Sequence, residues 1–233
     1  MSSYHPYTIF PLGDVGLTID FGNVIDEETN KKVLHLFHQI QQLHIPYVTD
    51  LVPAYSSLTV YYDLPTVYHP SKTAFETLAE LIGNLAETES ESIIRSPKLI
   101  KIPVCYAPKF ALDMYELSTK KNVSPQEVIA IHTSKTYRVY MIGFLPGFAY
   151  MGQVDEQIAL PRKMEPRINV DAGAVGIAST QTGIYPLTSP GGWNIIGRTP
   201  VQLFQKHSGL PVLFEPGDEV QFYSITEDEF KNY

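Results

Sequence analysis

The stretch PRINVDAGAVGIASTQTGIYPLTSPGGWNIIGRTP, residues 166–200, decides the fold of the second half of this chain. Together with IGFLPGFAYMG at residues 142–152, it belongs to a region, residues 143–200, that holds nine of the fifteen glycines. Glycine tolerates positive φ and the close approach of a second backbone or a ligand. These glycines are interleaved with Tyr, Trp, Gln and Arg, whereas flexible linkers are rich in Gly and Ser. We therefore interpret the region as a shaped surface and expect the functional site there.

Outward from this stretch, the sequence predicts short strands separated by Gly and Pro. Six or more such strands at close spacing are typical of a β-barrel or sandwich, so we expect a mainly-β domain over residues 91–233. A helix within it is predicted by the capping box Ser124-Pro125-Gln126-Glu127, which has Pro at the first helical position. The predicted strands are 99–106, 137–143, 173–178, 183–186, 194–200, 211–214 and 219–225, with helices over 113–121 and from 124 to 132.

The first 90 residues predict a separate α+β domain. Two strands around a Gly13-Asp14 turn are followed by a helix that Asp26 can cap, then by two strands and a second helix from about Ser71. This ββαββα order predicts a sheet with helices on one side. The polar segment 87–97, which ends in Pro, is the expected linker between the domains.

Composition excludes several classes of protein. The 233 residues carry a net charge of −8, which argues against nucleic acid or an anionic membrane as a partner. No run approaches the roughly 18–20 apolar residues that span a bilayer, and the first residues lack the pattern of a signal peptide. The single cysteine, Cys105, allows no internal disulfide and is expected to be buried. We therefore expect a cytoplasmic protein.

Several familiar catalytic motifs are absent from the sequence. It contains no phosphate-binding P-loop, no G-x-G-x-x-G, no G-x-S-x-G elbow and no H-E-x-x-H zinc site. His35 and His38 lie three residues apart on the first predicted helix, but no third ligand is near them in sequence. We interpret them as part of an exposed helical face and expect no metal site.

The polar residues of the glycine-rich region suggest a ligand with two chemical groups. Residues 172–200 contain no acid and one base, and their neutral side chains suit an uncharged amide or carbonyl. Three of the five arginines, Arg162, Arg167 and Arg198, lie nearby, and arginine binds carboxylate or phosphate through two parallel hydrogen bonds.

Two interpretations remain open for these residues. They can form a pocket for a ligand that carries both an amide and an acid. Alternatively, the glycines serve only the turns of a barrel, and the arginines pair with Asp155, Glu156, Glu165 or Asp171. His132, at the end of the capped helix, can act as an acid or base or can simply cap that helix.

Sequence motifs along almost the whole chain resemble those of a known family. The motifs are PLGD at 11–14, PAYSSLTVYYD at 53–63, IPVCY at 102–106, SPQEVIAIHT at 124–133, and the glycine-rich phrases. The chain resembles the family of KipI and the 5-oxoprolinase B subunit, also called allophanate hydrolase subunit 1. The resemblance implies a ferredoxin-like α+β domain followed by a cyclophilin-like barrel.

The resemblance also implies an activity and partners. Proteins of this kind work with the A and C subunits of 5-oxoprolinase, and the complex uses ATP to open the lactam of 5-oxo-L-proline to L-glutamate. Which of the three chains binds ATP stays open. Related chains resemble an inhibitor of a sensor histidine kinase or the carboxyltransferase part of urea carboxylase, and these are the alternative functions.

Under the main interpretation, six residues are expected to line a site shared with the C subunit, and Arg198 is added to them as a substrate-binding residue. We expect anion binding by Arg162 and Arg167, amide positioning by Gln181 and Tyr185, a packing wall from Trp193, and proton transfer by His132. Asp171, Ala174 and Ser179 stand where the family usually has Pro, Ser and Gly, so substrate choice can differ. The expected catalytic residues are His132, Gln181 and Tyr185, and the expected substrate-binding residues are Arg162, Arg167, Trp193 and Arg198.

Overall fold

The computed structural model describes residues 6–67, 69, 71–88, 96–207 and 209–233. The chain divides into two compact units, Met1–Ser96 and Pro97–Tyr233. The division falls inside the expected linker 87–97, a few residues beyond the boundary expected after residue 90. Residues 89–95 of that linker lie outside the described residues.

The first unit is a four-stranded antiparallel sheet with two helices packed on it. Its elements are β1 (Thr8–Pro11), β2 (Gly16–Asp20), α1 (Glu27–Leu43), β3 (Val48–Pro53), β4 (Ser57–Tyr62) and α2 (Ala74–Glu87). The strand order is β1-β2-β4-β3, and α1 and α2 contact each other as well as the sheet.

Local sequence signals explain these elements. Asp26 accepts a hydrogen bond from the Thr29 backbone N–H at the start of α1. Thr73 and Glu76 form a capping box at the start of α2, so this helix begins slightly later than expected. Alternate residues of β2 and β4 are buried with α1 and α2 in one apolar core, because successive strand residues point to opposite faces. The predicted α+β architecture is confirmed.

The second unit is built on a closed seven-stranded barrel. Its elements are β5 (Leu99–Cys105), α3 (Met114–Lys121), α4 (Pro125–Ser134), β6 (Thr136–Ile142), β7 (Ala149–Gly152), β8 (Arg167–Val170), β9 (Ala174–Ala178), β10 (Gln181–Ile184), β11 (Ser189–Gly191), β12 (Asn194–Arg198), β13 (Glu219–Ile225) and α5 (Glu227–Lys231).

The strand order in the barrel is β10-β7-β6-β13-β5-β12-β9, with β9 paired to β10. Every pair is antiparallel except β5 with β13. A two-stranded ribbon, β8 with β11, lies outside the barrel order.

The barrel has an apolar core inside and a smaller core on its outer wall. Val175, Ile177 and Ile184 point into the interior, whereas Ala174 and Ala178, on the same strand β9, join the outer cluster. The predicted mainly-β barrel is therefore confirmed. Among the described helices, none is both long and apolar enough to cross a membrane.

Some predicted elements differ from the observed ones. The strand expected over 211–214 is wrong: this run makes only an isolated bridge between Phe204 and Val212. Strands β7, β8 and β11 and helix α5 were not expected from the sequence. The first three are short, at three or four residues each, so they show almost no periodic pattern.

Ser179 occupies a strained position in the two-residue connection between β9 and β10. Its φ is +54°, a left-handed conformation that costs a residue with a side chain about 1–2 kcal/mol. Glycine adopts this conformation freely, so the glycine that the family resemblance implies at this position would remove the strain.

We therefore predict that Ser179→Gly raises the free energy of unfolding by about 0.5–1 kcal/mol, after allowance for the greater freedom of glycine in the unfolded chain. The matched control is Ser224→Gly, the same change at an exposed position within β13. This control should destabilise the protein by a similar amount. Urea unfolding measures both; a loss of stability in Ser179→Gly would contradict the strain argument.

Candidate functional site

Four aromatic side chains form a cluster on the outer wall of the barrel: Phe148, Tyr150, Tyr185 and Trp193, hereafter the aromatic cluster. Phe148 lies centrally, with ring centroids 4.8 Å from Tyr150, 5.3 Å from Tyr185 and 5.4 Å from Trp193. Each pair is edge-to-face, the arrangement that aromatic quadrupoles favour. Only Tyr150 retains substantial exposure, so the cluster is a firm wall with one accessible ring.

Glycines on the barrel strands make room for this cluster. A Cβ atom on Gly183 would lie 3.2 Å from both the Phe148 and Trp193 rings and 2.8 Å from the Ala149 carbonyl oxygen. A Cβ on Gly176 would lie 3.0 Å from the Trp193 Cβ. Contacts this close require the neighbouring atoms to move. Glycines within residues 166–200 therefore leave space for aromatic rings, in addition to allowing turns.

The Tyr185 hydroxyl is held beneath the segment that leads into β12. It accepts a hydrogen bond from the Trp193 backbone N–H, and a Cβ on Gly191 would overlap it. Burial raises the pKa of Tyr185, an effect that outweighs the opposing influence of this hydrogen bond. The phenol is therefore neutral at physiological pH and unsuited to act as a base.

Arg162 lies over the backbone beside the aromatic cluster. A Cβ on Gly192 would lie 3.3 Å from the Arg162 Nη2 and 3.4 Å from its Nε, so the guanidinium rests against this glycine. Its positive charge acts on the hydroxyls of both Tyr150 and Tyr185. Among the described residues, none forms a hydrogen bond or ion pair with this guanidinium. The Arg162 side chain is thus exposed, has hydrogen-bond donors available to a ligand, and lies beside an aromatic ring.

Arg167 has a different environment from the one expected. Its guanidinium makes two hydrogen bonds to the Asp113 carboxylate, at 2.7 Å and 2.6 Å, and that carboxylate is 2% exposed. A guanidinium already paired in this way has its fork occupied, so the expected direct binding of substrate by Arg167 does not fit the structure. Pairing with a carboxylate was the alternative left open from the sequence, although Asp113 was not among the acids considered.

Arg198 is also engaged within the protein. Its Nε donates to the Ala172 carbonyl oxygen at 2.9 Å, and its Nη1 lies 3.3 Å from Asp171 Oδ2. Arg198 ends β12, roughly 15 Å along the strand from Trp193 at its other end. The structure therefore does not bring Arg198 to the aromatic cluster. It also gives the unusual Asp171 a partner.

Gln181 and Tyr185 lie apart on the outer wall. Gln181 begins β10, opposite Gly152, whereas Tyr185 follows the end of this strand. Four residues of extended chain separate them by roughly 13 Å, so they do not contact one amide group together. Gln181 is half-buried and faces the same side of the sheet as Gly183.

His132 lies inside the barrel and has no exposed surface. Its Nδ1 is 2.8 Å from the Tyr106 hydroxyl and its Nε2 is 3.0 Å from Thr182 Oγ1. Thr182 donates its own proton to the Gly176 carbonyl oxygen, so His132 must carry its proton on Nε2 and accept from Tyr106. Enclosure on all sides does not support the expected proton transfer by His132 to a substrate on the outer wall.

Burial lowers the pKa of His132 to about 3, so the ring is neutral at physiological pH. The seven expected site residues therefore separate. Arg162, Tyr185 and Trp193 come together, Arg167 lies near them but is paired, and Gln181, Arg198 and His132 lie elsewhere.

Sequence reasoning missed Asp113, Lys163, Phe148 and Tyr150 as site residues. Phe148 and Tyr150 are part of the quoted phrase IGFLPGFAYMG, so their aromatic alternation was the available signal. Asp113 lies 50 and 54 residues from its two cationic partners, and nothing local in the sequence marks it. Cys105 is buried, and in the described part of the chain no group of three metal-binding side chains occurs.

An α+β unit followed along the chain by a barrel of this kind matches a known domain class. Residues 7–214 match the family model for the carboxyltransferase domain, subdomain C and D. The chain is 39% identical over 231 residues to the 5-oxoprolinase B subunit of Bacillus subtilis (strain 168), an alignment that covers 97% of this chain and 96% of the relative. It is 32% identical to the 5-oxoprolinase B subunit of Escherichia coli O157:H7, with coverage of 91% and 93%. The chain therefore belongs to the family of 5-oxoprolinase B subunits.

Solved structures show the same fold. The crystal structure of TTHA0988 is similar with a TM-score of 0.78 and 36% identity, over 90% of this chain and 40% of that one. The crystal structure of PH0987 from Pyrococcus horikoshii gives a TM-score of 0.56 and 42% identity, over 96% and 100% of the two chains. The Kluyveromyces lactis urea carboxylase has a TM-score of 0.76 but 19% identity, which shows the fold alone.

The His132 environment leads to a prediction about pH. Because the pKa of His132 is about 3 in the folded protein and about 6.5 in an unfolded chain, the unfolded state binds more protons between these values. The contribution of His132 to the free energy of unfolding is therefore fully present above about pH 6.5. It decreases as the pH falls and is smaller by about 2 kcal/mol at pH 5.

The measurement is the free energy of unfolding at pH 7 and pH 5 for the natural chain and for His132→Gln, which should show the smaller loss. NMR should also find His132 as the Nε2–H tautomer, with ring shifts unchanged from pH 8 to pH 5. A ring that titrates within this range would contradict its enclosure.

Proposed function

We propose that this chain is the B subunit of an ATP-dependent 5-oxoprolinase, a complex that opens 5-oxo-L-proline to L-glutamate. The observation that carries the proposal is the 39% identity to a 5-oxoprolinase B subunit over almost the whole of both chains. A lactam is a poor electrophile, and phosphorylation of its oxygen by ATP would turn that oxygen into a good leaving group. ATP is therefore a substrate of the complex, and the proposal does not assign its binding to a particular chain.

The site on the outer wall suits such a substrate. 5-Oxoproline is a small ring that carries one carboxylate and one amide. The fork of Arg162 matches the carboxylate, because a guanidinium donates two parallel hydrogen bonds to it. The half-exposed Tyr150 ring offers an apolar surface for the lactam, and Trp193 supports this ring from behind. We therefore assign carboxylate binding to Arg162 and the packing wall to the aromatic cluster.

The same site explains why the chain would need partner subunits. It presents a cation and phenols, and burial raises the pKa values of both Tyr150 and Tyr185. Such groups can hold and orient a lactam but cannot take a proton from an attacking water. The catalytic base and the nucleotide-binding groups would then come from the A and C subunits. Gln181 would act at a point separate from Tyr185.

The first test is reconstitution. Purified chain mixed with the A and C subunits from the same source, ATP and 5-oxoproline should form glutamate, whereas omission of this chain, of either partner or of ATP should abolish the reaction. The chain alone should form none. Glutamate formation at full rate without this chain would contradict the proposal.

The second test addresses Arg162. In the reconstituted complex, Arg162→Gln should raise the KM for 5-oxoproline about ten-fold or more, since a hydrogen bond to a charged group contributes about 1.5–3 kcal/mol. Lys101→Gln removes one positive charge from an exposed position on β5 and serves as the control, with KM unchanged. An unaltered KM in Arg162→Gln would overturn the assignment of this residue.

A further inference from the structure

The segment that carries Arg162, residues 160–167, is tied to β12 through its backbone. The Asn194 side chain donates to the Pro161 carbonyl oxygen at 2.9 Å, and the Lys163 N–H donates to the Gly192 carbonyl oxygen at 2.7 Å. These bonds lie on either side of Arg162 in sequence. These two hydrogen bonds fix the main chain at Arg162, but they do not hold the residues that follow Lys163.

Asp113 holds the same segment, residues 160–167, through the side chains of Lys163 and Arg167. Its carboxylate accepts hydrogen bonds from Lys163 Nζ at 2.8 Å and from both terminal nitrogens of Arg167. It also accepts from the Ile195 N–H at 2.7 Å, while the Asp113 N–H donates to the Ile195 carbonyl oxygen at 2.8 Å. One carboxylate that is 2% exposed therefore joins the start of α3, strand β12 and the segment 160–167.

Asp113 also controls the charge around the site. Burial by itself would raise the pKa of Asp113, but hydrogen bonds from Arg167, Lys163 and the Ile195 N–H outweigh it and lower the pKa. The carboxylate therefore stays ionised and holds two cations in place. Arg167 lies close enough to act on the Tyr185 hydroxyl, and its pairing with Asp113 neutralises its charge and fixes its side chain away from Arg162.

We propose that Asp113 is a positioning residue for Arg162. By pairing with Lys163 and Arg167, Asp113 orients the segment 160–167, and Arg162 remains the cation that binds the substrate carboxylate. This inference rests on the proposed function, because it assigns Asp113 a part in recognition of the acid group. It extends that function to a residue that need not touch the substrate. The site would thereby select a ligand with a single carboxylate at this position.

The experiment is a double-mutant cycle on KM in the reconstituted complex. Asp113→Asn should raise the KM for 5-oxoproline about five- to ten-fold and change kcat by less than about three-fold. When Arg162→Gln is already present, the addition of Asp113→Asn should raise KM by less than about two-fold, because the two residues act through one contact. A purely structural role would instead lower kcat and would raise KM equally in both backgrounds, and either result would overturn the proposal.

A second set of variants keeps the test valid if Asp113→Asn folds poorly. Lys163→Gln and Arg167→Gln break the same pairs from their more exposed side and should each raise KM in the natural background only. The matched control is Lys120→Gln, since Lys120 also pairs with Glu116 but makes no pair with Asp113. An increase of KM in Lys120→Gln equal to that in Lys163→Gln would overturn the special role of Asp113.

The design separates the two claims. If the natural complex forms no glutamate from 5-oxoproline, the proposed function fails. If the natural complex is active and Arg162→Gln raises KM, but the Asp113, Lys163 and Arg167 variants leave KM unchanged, the proposed function stands and the role of Asp113 is refuted.

Discussion

The outer wall of the barrel depends on close contact between glycine backbone and aromatic rings. Where a strand lacks a side chain, a ring can lie directly against the main chain, as Phe148 and Trp193 do over Gly183. The layer that results carries Tyr185 and supports the half-exposed Tyr150. The β8–β11 ribbon contributes Val170 to the same outer core. Glycine at these positions is thus a packing requirement that determines where the aromatic cluster lies.

Above this layer, charge is distributed unevenly between buried and exposed groups. The Asp113 carboxylate is shielded from water, whereas its two partners, Lys163 and Arg167, are partly exposed. Arg162, which directly precedes Lys163 in the sequence, is exposed. A site of this type combines a rigid charged support with one cation that is available to a ligand. Under the proposed function, this arrangement would favour binding with little change in the protein, since the support is formed before the substrate arrives.

Much of the fold was accessible from sequence because its signals are local. The capping box 124–127 and the capping residue Asp26 predicted where two helices begin, and short apolar runs between Gly and Pro predicted most of the strands. The site was only partly accessible. Composition drew attention to the three arginines and to Trp193, but the pairing of Arg167 with Asp113 spans 54 residues and depends on how the barrel closes. The enclosure of His132 could not be predicted for a similar reason, because a helix that caps a barrel can direct its last residues inward, and no periodic pattern shows this.

The parallel pair of β5 and β13 has a consequence for the order of folding. These strands join residues 120 positions apart in register, Leu99 with Glu219, and β13 is the strand that connects β5 to β6 in the closed barrel. During synthesis the other six strands can be present while the barrel still has two open edges. Closure must wait for residues 219–225 to leave the ribosome. Contacts of such long sequence separation form slowly, so unpaired strand edges remain open to wrong association until this last step.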